Sequence, residues 1–185
     1  DGGGGGDGGG GGDGGGSGDP GVYVAAVGGH PVSLRYGTVV EETWDLVIPA
    51  PGTRWGFSRS YNSHVTGTTV LGTQWFTNCT DYKLTQGDGS NVNLILDAST
   101  KYVFTYSGGV YIAPKDTTLT LVHNGDATFT LTDTRVGVIS IFYDFSASHR
   151  GLLKEQTTLA WKTAGRSGSR YTWNASEQLT QITTS

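Results

Sequence analysis

The sequence predicts an antiparallel all-β fold preceded by a glycine arm, and three observations carry this. From Val22 onward apolar residues alternate with polar ones in short runs with almost no helical period. The composition favours strands and turns: Thr, Ser and Gly dominate, with 5 Trp, 9 Tyr, 6 Phe and no Met. Turn-forming pairs such as Gly28-Gly29, Asn124-Gly125 and Gly108-Gly109 separate the runs.

The elements follow in order. Residues 1–20 form the arm. Asp1, Asp7, Asp13 and Asp19 stand six apart, with only Gly and Ser17 between them. A six-residue step scatters side chains around an α-helix but aligns them on a strand or polyproline II helix. The arm is therefore expected to be extended, with four carboxylates on one edge, and to hydrogen-bond mostly to other chains. Composition alone also allows a flexible linker. The carboxylates either keep the arm soluble or hold Ca²⁺ between chains. No other cofactor is indicated.

Residues 21–185 read as one β-sheet domain. Val22–Val27 and Val32–Tyr36 are short strands. Thr38–Ile48 is a longer one, with Val40, Glu42, Trp44 and Leu46 on one face, ended by Pro49-Ala50-Pro51-Gly52. Trp55, Phe57, Arg59 and Tyr61 alternate in the next, and Asn62–Val70 is a polar loop. Trp75-Phe76, Tyr82–Leu84, Val92–Leu96 and Tyr102–Tyr106 continue the pattern. Thr117–Thr132 is the clearest hairpin. A two-residue Asn-Gly loop would put Leu119 and Phe129 on opposite faces. A three-residue loop, His123-Asn124-Gly125 with Gly125 left-handed and bulged, keeps them together and pairs Leu121 with Ala127. The strand through Val138–Asp144 is apolar on both faces. Leu152–Thr157, Leu159–Thr163, Arg170–Asn174 and Gln178–Thr184 complete the strands. The chain begins at Asp1 without Met and ends at Ser185 inside what reads as a repeat, as expected of a processed or excised piece.

Charge narrows the function. There are 12 Lys and Arg against 16 Asp and Glu. Four acids lie in the arm, so the body carries 12 against 12 and is neutral. A neutral body without a basic stripe argues against nucleic acid as a partner, and no apolar run is long enough to span a membrane. No catalytic constellation emerges. His30, His64, His123 and His149 fall in turns or loops without metal-ligand spacing. Gly165-Arg166-Ser167-Gly168 lacks the spacing of a serine elbow. Asp88, Asp126 and Asp144 are turn residues. Cys79 is the single cysteine and reads as a buried packing residue. Asn78-Cys79-Thr80 and Asn174-Ala175-Ser176 make Asn78 and Asn174 candidate glycosylation acceptors.

Two stretches carry a family resemblance. Gly29-His30-Pro31-Val32-Ser33, then Phe57-Ser58-Arg59-Ser60-Tyr61-Asn62-Ser63, then Leu71-Gly72-Thr73-Gln74-Trp75 resemble the segment that precedes the repeats in Rhs/YD-repeat proteins. Its pattern is Gly-Asn-Pro-Val, Arg-x-Tyr-Asn-Ser and Gly-x-x-Trp. Pro31, Arg59, Tyr61, Asn62, Gly72 and Trp75 match, and His30 replaces Asn. Tyr171-Thr172-Trp173-Asn174-Ala175-Ser176-Glu177-Gln178-Leu179 resembles one degenerate YD repeat. There Tyr171 and Leu179 match and Trp173 replaces the second Tyr. Glu177 stands where Gly is usual, which is expected to weaken the turn. The resemblance covers roughly Gly29–Ser185 and not the arm. It implies a coiled antiparallel sheet whose signature residues are structural, at a bacterial cell surface or outside the cell.

The expected function is a non-enzymatic extracellular subunit that self-assembles into a fibre, its arm contacting neighbouring copies. One alternative is the N-terminal shell or plug portion of a large Rhs-type secreted toxin. Another is an adhesin module that binds a glycan through exposed Trp or Tyr.

Overall fold

The computed structural model describes residues 23–25, 31–33, 37–48 and 55–184. The arm carboxylates Asp1, Asp7, Asp13 and Asp19, residue His30 and the Pro49–Gly52 stop lie outside these residues.

Four antiparallel sheets make up the described body. The first consists of β1 (Tyr23–Ala25), β2 (Pro31–Ser33), β3 (Thr38–Ile48), β4 (Trp55–Asn62) and, past a small two-stranded ribbon of β5 (Thr68–Thr69) and β6 (Gly72–Thr73), β7 (Trp75–Thr77). The ribbon lies partly within the stretch expected to be loop. β3 has the expected bounds, but its alternation is interrupted. Trp44 pairs with Ser58 while Leu46 pairs with Phe57, so Asp45 is bulged out. Any Cβ at Gly56 would lie 2.7 Å from Trp44 Cζ3, so the ring occupies the space a side chain there would need.

The second sheet runs β11-β10-β9-β8, built from β8 (Lys83–Gln86), β9 (Val92–Ile95), β10 (Lys101–Ser107) and β11 (Val110–Ile112). Gly108 (φ 59) and Gly109 (φ 88) close β10 onto β11 with two left-handed residues, the loop that matches strand twist.

The third is a six-stranded meander in chain order: β12 (Leu119–His123), β13 (Thr128–Asp133), β14 (Val138–Tyr143), β15 (Leu153–Thr158), β16 (Ser169–Trp173) and β17 (Leu179–Thr183). Between β15 and β16 stands a five-residue helix, α1 (Leu159–Thr163), where a strand was expected. Thr158 caps it, its hydroxyl accepting from Trp161 N.

The core lies between the second and third sheets. Leu84, Val92, Leu94 and Phe104 meet Leu121, Phe129, Leu131, Phe142, Leu153, Tyr171 and Trp173. Side chains from both faces of β14 are buried, Ile139 on one side and Ser140 and Phe142 on the other, as its sequence indicates. The two sheets also join through backbone: Leu84 N donates to Gly151 O at 2.9 Å, and Gly151 N to Tyr143 O at 3.1 Å.

The β12–β13 hairpin corrects the expected register. Leu121 faces Leu131 and His123 faces Phe129. The three-residue loop exists, but two residues later, as Gly125-Asp126-Ala127, and Ala127 (φ 59) is the left-handed residue. Side chains fix this place. Asn124 Nδ2 donates to the hydroxyls of Thr128 and Thr130, and Thr128 Oγ1 donates to Asp126 Oδ1. The apolar set still shares one face, which is the requirement that ruled out the two-residue loop.

The turn between β16 and β17 is built the same way. Asn174 N donates to Gln178 O, as Asn124 N does to Thr128 O, and Glu177 (φ 58) occupies the position of Ala127. The expected weakening by Glu177 is corrected to this extent: the turn forms with a non-glycine residue in the left-handed region. Asn174 Oδ1 helps by accepting from Ser176 N and Gln178 N.

Candidate functional site

Of the signature residues before the repeats, Arg59, Tyr61 and Asn62 on β4 come together with Trp75 on β7, beside β3. Pairing places Arg59 opposite Thr43 on one side and Thr77 on the other. Its guanidinium lies over the Trp75 ring at 5.3 Å, and Tyr61 packs on the same ring at 5.2 Å. Arg59 Nε stands 3.0 Å from Asp45 Oδ2 without hydrogen-bond alignment, so the contact is Coulombic. The bulge at Asp45 lies on the neighbouring strand, beside this pair. Tyr61 OH donates to Gln74 Oε1, and Asn62 spans to Ser99 Oγ while accepting from His64 N. Gly72 sits at φ 108 in the ribbon that delivers Trp75. Pro31 lies in β2, paired with Ala25. The cluster is a clasp held by ring contacts on Trp75 and by side-chain bonds to Gln74, Ser99 and His64.

Tyr171 and Trp173 are buried in the main core, and Leu179 packs against it. Trp173 Nε1 donates to Leu153 O at 2.7 Å, locking β16 to β15. Burial pushes the Tyr171 phenol well above its usual range.

The two sequons differ in setting. Asn78 Nδ2 donates to Gly56 O and its Oδ1 accepts from Ser58 N, so the amide stitches β7 to β4. Asn174 Nδ2 reaches only the Gln178 side chain, in an exposed turn. Cys79 is buried, and desolvation raises its thiol to about 11.

One pairing was not legible in the sequence. His123 lies at the end of β12 rather than in a loop, and its Nε2 is 2.9 Å from Asp144 Oδ2. The ring stacks on Phe129 at 4.7 Å. Bonds from Ser146 Oγ first, then His123, hold the Asp144 carboxyl down at about 2.

A cleft of about 580 Å³ opens between the sheets, lined by Tyr82, Leu94, Tyr102, Leu131, Leu153 and Tyr171, with Trp44 also lining it. Its inner polar groups are engaged: Tyr82 OH and Gln156 Nε2 both bond Ser140 Oγ. Among the described residues no three His, Cys, Asp or Glu side chains group as a metal site. No helix among them is long and apolar enough to cross a membrane.

The remaining unusual surfaces are strand edges. Among the described residues, β17 has no partner on its outer side, and neither β11 nor β12 is paired on the side away from its hairpin mate. β11 reads Val-Tyr-Ile, β12 Leu-Thr-Leu-Val-His and β17 Leu-Thr-Gln-Ile-Thr. None carries Lys, Pro or an acid, the usual protections of an edge.

The fold and these contacts define an antiparallel all-β protein. A family model described as a domain of unknown function (DUF6531) matches residues 29–104. The match runs from just before β2 to Phe104 in β10, leaving β1 outside, and contains the whole Arg59–Tyr61–Trp75 clasp. No curated protein matches the chain.

Proposed function

We propose that this chain is a non-enzymatic, extracellular structural subunit that assembles with copies of itself by strand addition. Residues 1–20 act as the assembly arm and residues 21–185 as the sheet body. The observation that carries the reading is the set of unprotected edges, β11, β12 and β17. An uncharged edge with unpaired N–H and C=O groups is a template for another strand. A contact of that kind between different surfaces of two copies does not close on itself and gives a filament.

Sedimentation velocity and negative-stain microscopy of the full chain test it. Assemblies should form with rising concentration, and Gln181→Lys with Thr183→Lys on β17 should shorten them. A chain that stays monomeric at high concentration would sink the reading.

The family match favours a second reading, in which the chain opens the shell of a large Rhs-type secreted toxin and β17 is followed by further YD hairpins. The match at 29–104 overlaps the first of the stretches that carry the resemblance. The coding sequence around this stretch discriminates: many YD units in the same frame support the shell, and tandem copies of this unit support the fibre.

A further inference from the structure

The cleft of about 580 Å³ lies where the three large sheets meet. Trp44 comes from the first, Leu94 and Tyr102 from the second, and Leu131, Ser140 and Leu153 from the third. Its size is that of a small-molecule site, about 300–1,000 Å³. Two features set it apart from a gap in packing.

The first is the rim. Three large apolar side chains that stay exposed stand around the mouth: Val136 at 59 %, Trp44 at 55 % and Leu96 at 40 %. Trp44 is braced as well as exposed, because the benzo part of its ring rests on Gly56. A braced ring loses little rotamer freedom when a flat apolar molecule packs on it. Below it the walls are apolar, formed by the nearly buried Leu94, Leu131 and Leu153.

The second is the floor. Ser140 Oγ is bonded by the Tyr82 hydroxyl at 3.1 Å and by Gln156 Nε2 at 3.2 Å. Burial pushes the Tyr82 phenol up to about 12, so it keeps its proton at neutral pH. The three groups carry four protons, one each on Tyr82 and Ser140 and two on Gln156, and share two bonds. Two donors are left over, and Gln156 Oε1 is left as an acceptor. Among the described residues nothing else bonds these side chains. A carboxylate only accepts, and it would meet Gln156 Oε1 and the charge of Asp133, which reaches Tyr82. An ammonium only donates. A hydroxyl does both. The mouth carries Asp116, Asp133 and Arg135, an excess of one negative charge that also turns anions away.

We propose that this cleft binds an uncharged, flat, apolar molecule bearing one hydroxyl, of the phenol or fused-ring alcohol class. The hydroxyl sits on Ser140 and Gln156, and the ring system packs against Trp44. The site is complete within one chain, so it is independent of the assembly reading.

Titration calorimetry of the full chain tests it with three probes: a naphthol, the corresponding methyl ether and the corresponding carboxylate. The naphthol should bind about tenfold or more tightly than either relative, since the ether cannot donate and the carboxylate is charged. This ranking needs no variant. Gln156→Leu should bring the naphthol and its ether within about threefold of one another. Trp44→Ala should weaken both alike and leave their ratio unchanged. Gln156 is half-buried and Trp44 exposed, and a melting curve checks that each variant folds. Equal binding of the three probes by the native chain, or binding of none, would overturn the site. So would a folded Gln156→Leu chain that keeps the tenfold preference.

Discussion

Gly151 joins the two core sheets, and replacing it measures the strength of that joint. It sits at φ 71, and an added Cβ would lie 2.0 Å from Leu84 O, a backbone atom of β8. Gly151→Ala therefore acts twice. The left-handed conformation costs an L-residue about 1 kcal/mol. The clash forces β8 away, which breaks the 2.9 Å bond from Leu84 N to Gly151 O and strands both groups where Leu84 is 1 % exposed. An unsatisfied buried polar group costs about 1–3 kcal/mol. Together these give about 3–7 kcal/mol, a large share of a typical domain's stability. Gly137→Ala is the control, because Gly137 has φ 68 but open space around its Cβ position. Only the conformational cost of about 1 kcal/mol applies there. With a urea slope of about 2 kcal/mol/M, the two midpoints should fall by about 1.5–3.5 M and about 0.5 M. Equal midpoints for the two variants would show that the sheets are not joined at Gly151.

Other outcomes follow from the turns and the buried groups. Ala127→Gly and Glu177→Gly remove left-handed strain at φ 59 and φ 58 and should each stabilise by about 0.5–1 kcal/mol, or about 2 °C in a melt. Asp144 has a lowered pKa, so its contribution is present above about pH 4 and is lost as pH falls toward about 2. Asp144→Asn should flatten that part of an acid titration of stability. Tyr82, pushed up to about 12 mainly by burial, contributes fully below pH 10 and loses its share as pH rises toward 12; Tyr82→Phe should remove this alkaline slope. Cys79 should resist thiol reagents in the native chain at pH 8 and react at the rate of global unfolding, read by mass spectrometry with increasing urea.

The long strands were legible because alternation over many residues has few other readings. Thr38–Ile48 is found with the bounds its sequence implies. Two failures have local causes. Leu159–Thr163 is too short to show a 3.6-residue period, and its helix depends on one cap from Thr158. The β12–β13 loop was misplaced because Asn124-Gly125 dominates the sequence signal, whereas the Asn124, Asp126 and Thr128 side chains set the turn two residues further on. The remaining failures are non-local. His123 and Asp144 are 21 residues apart and meet only because β12 and β14 both flank β13. Arg59, Tyr61 and Trp75 gathered into one clasp and Tyr171, Trp173 and Leu179 into one hairpin, because spacing by two on paired strands brings rings onto a common face, while Pro31 and Gly72 stand apart in β2 and β6.

The six-stranded meander has a consequence for how such a chain can be made. Each of its strands pairs only with its neighbours in sequence. Every closure in it is therefore short, the arrangement that folds fastest among β-topologies. Each new hairpin docks on the edge left by the one before, and no earlier strand has to wait for a later one. A sheet of this kind can emerge end first through a narrow passage and consolidate as it appears, one hairpin at a time.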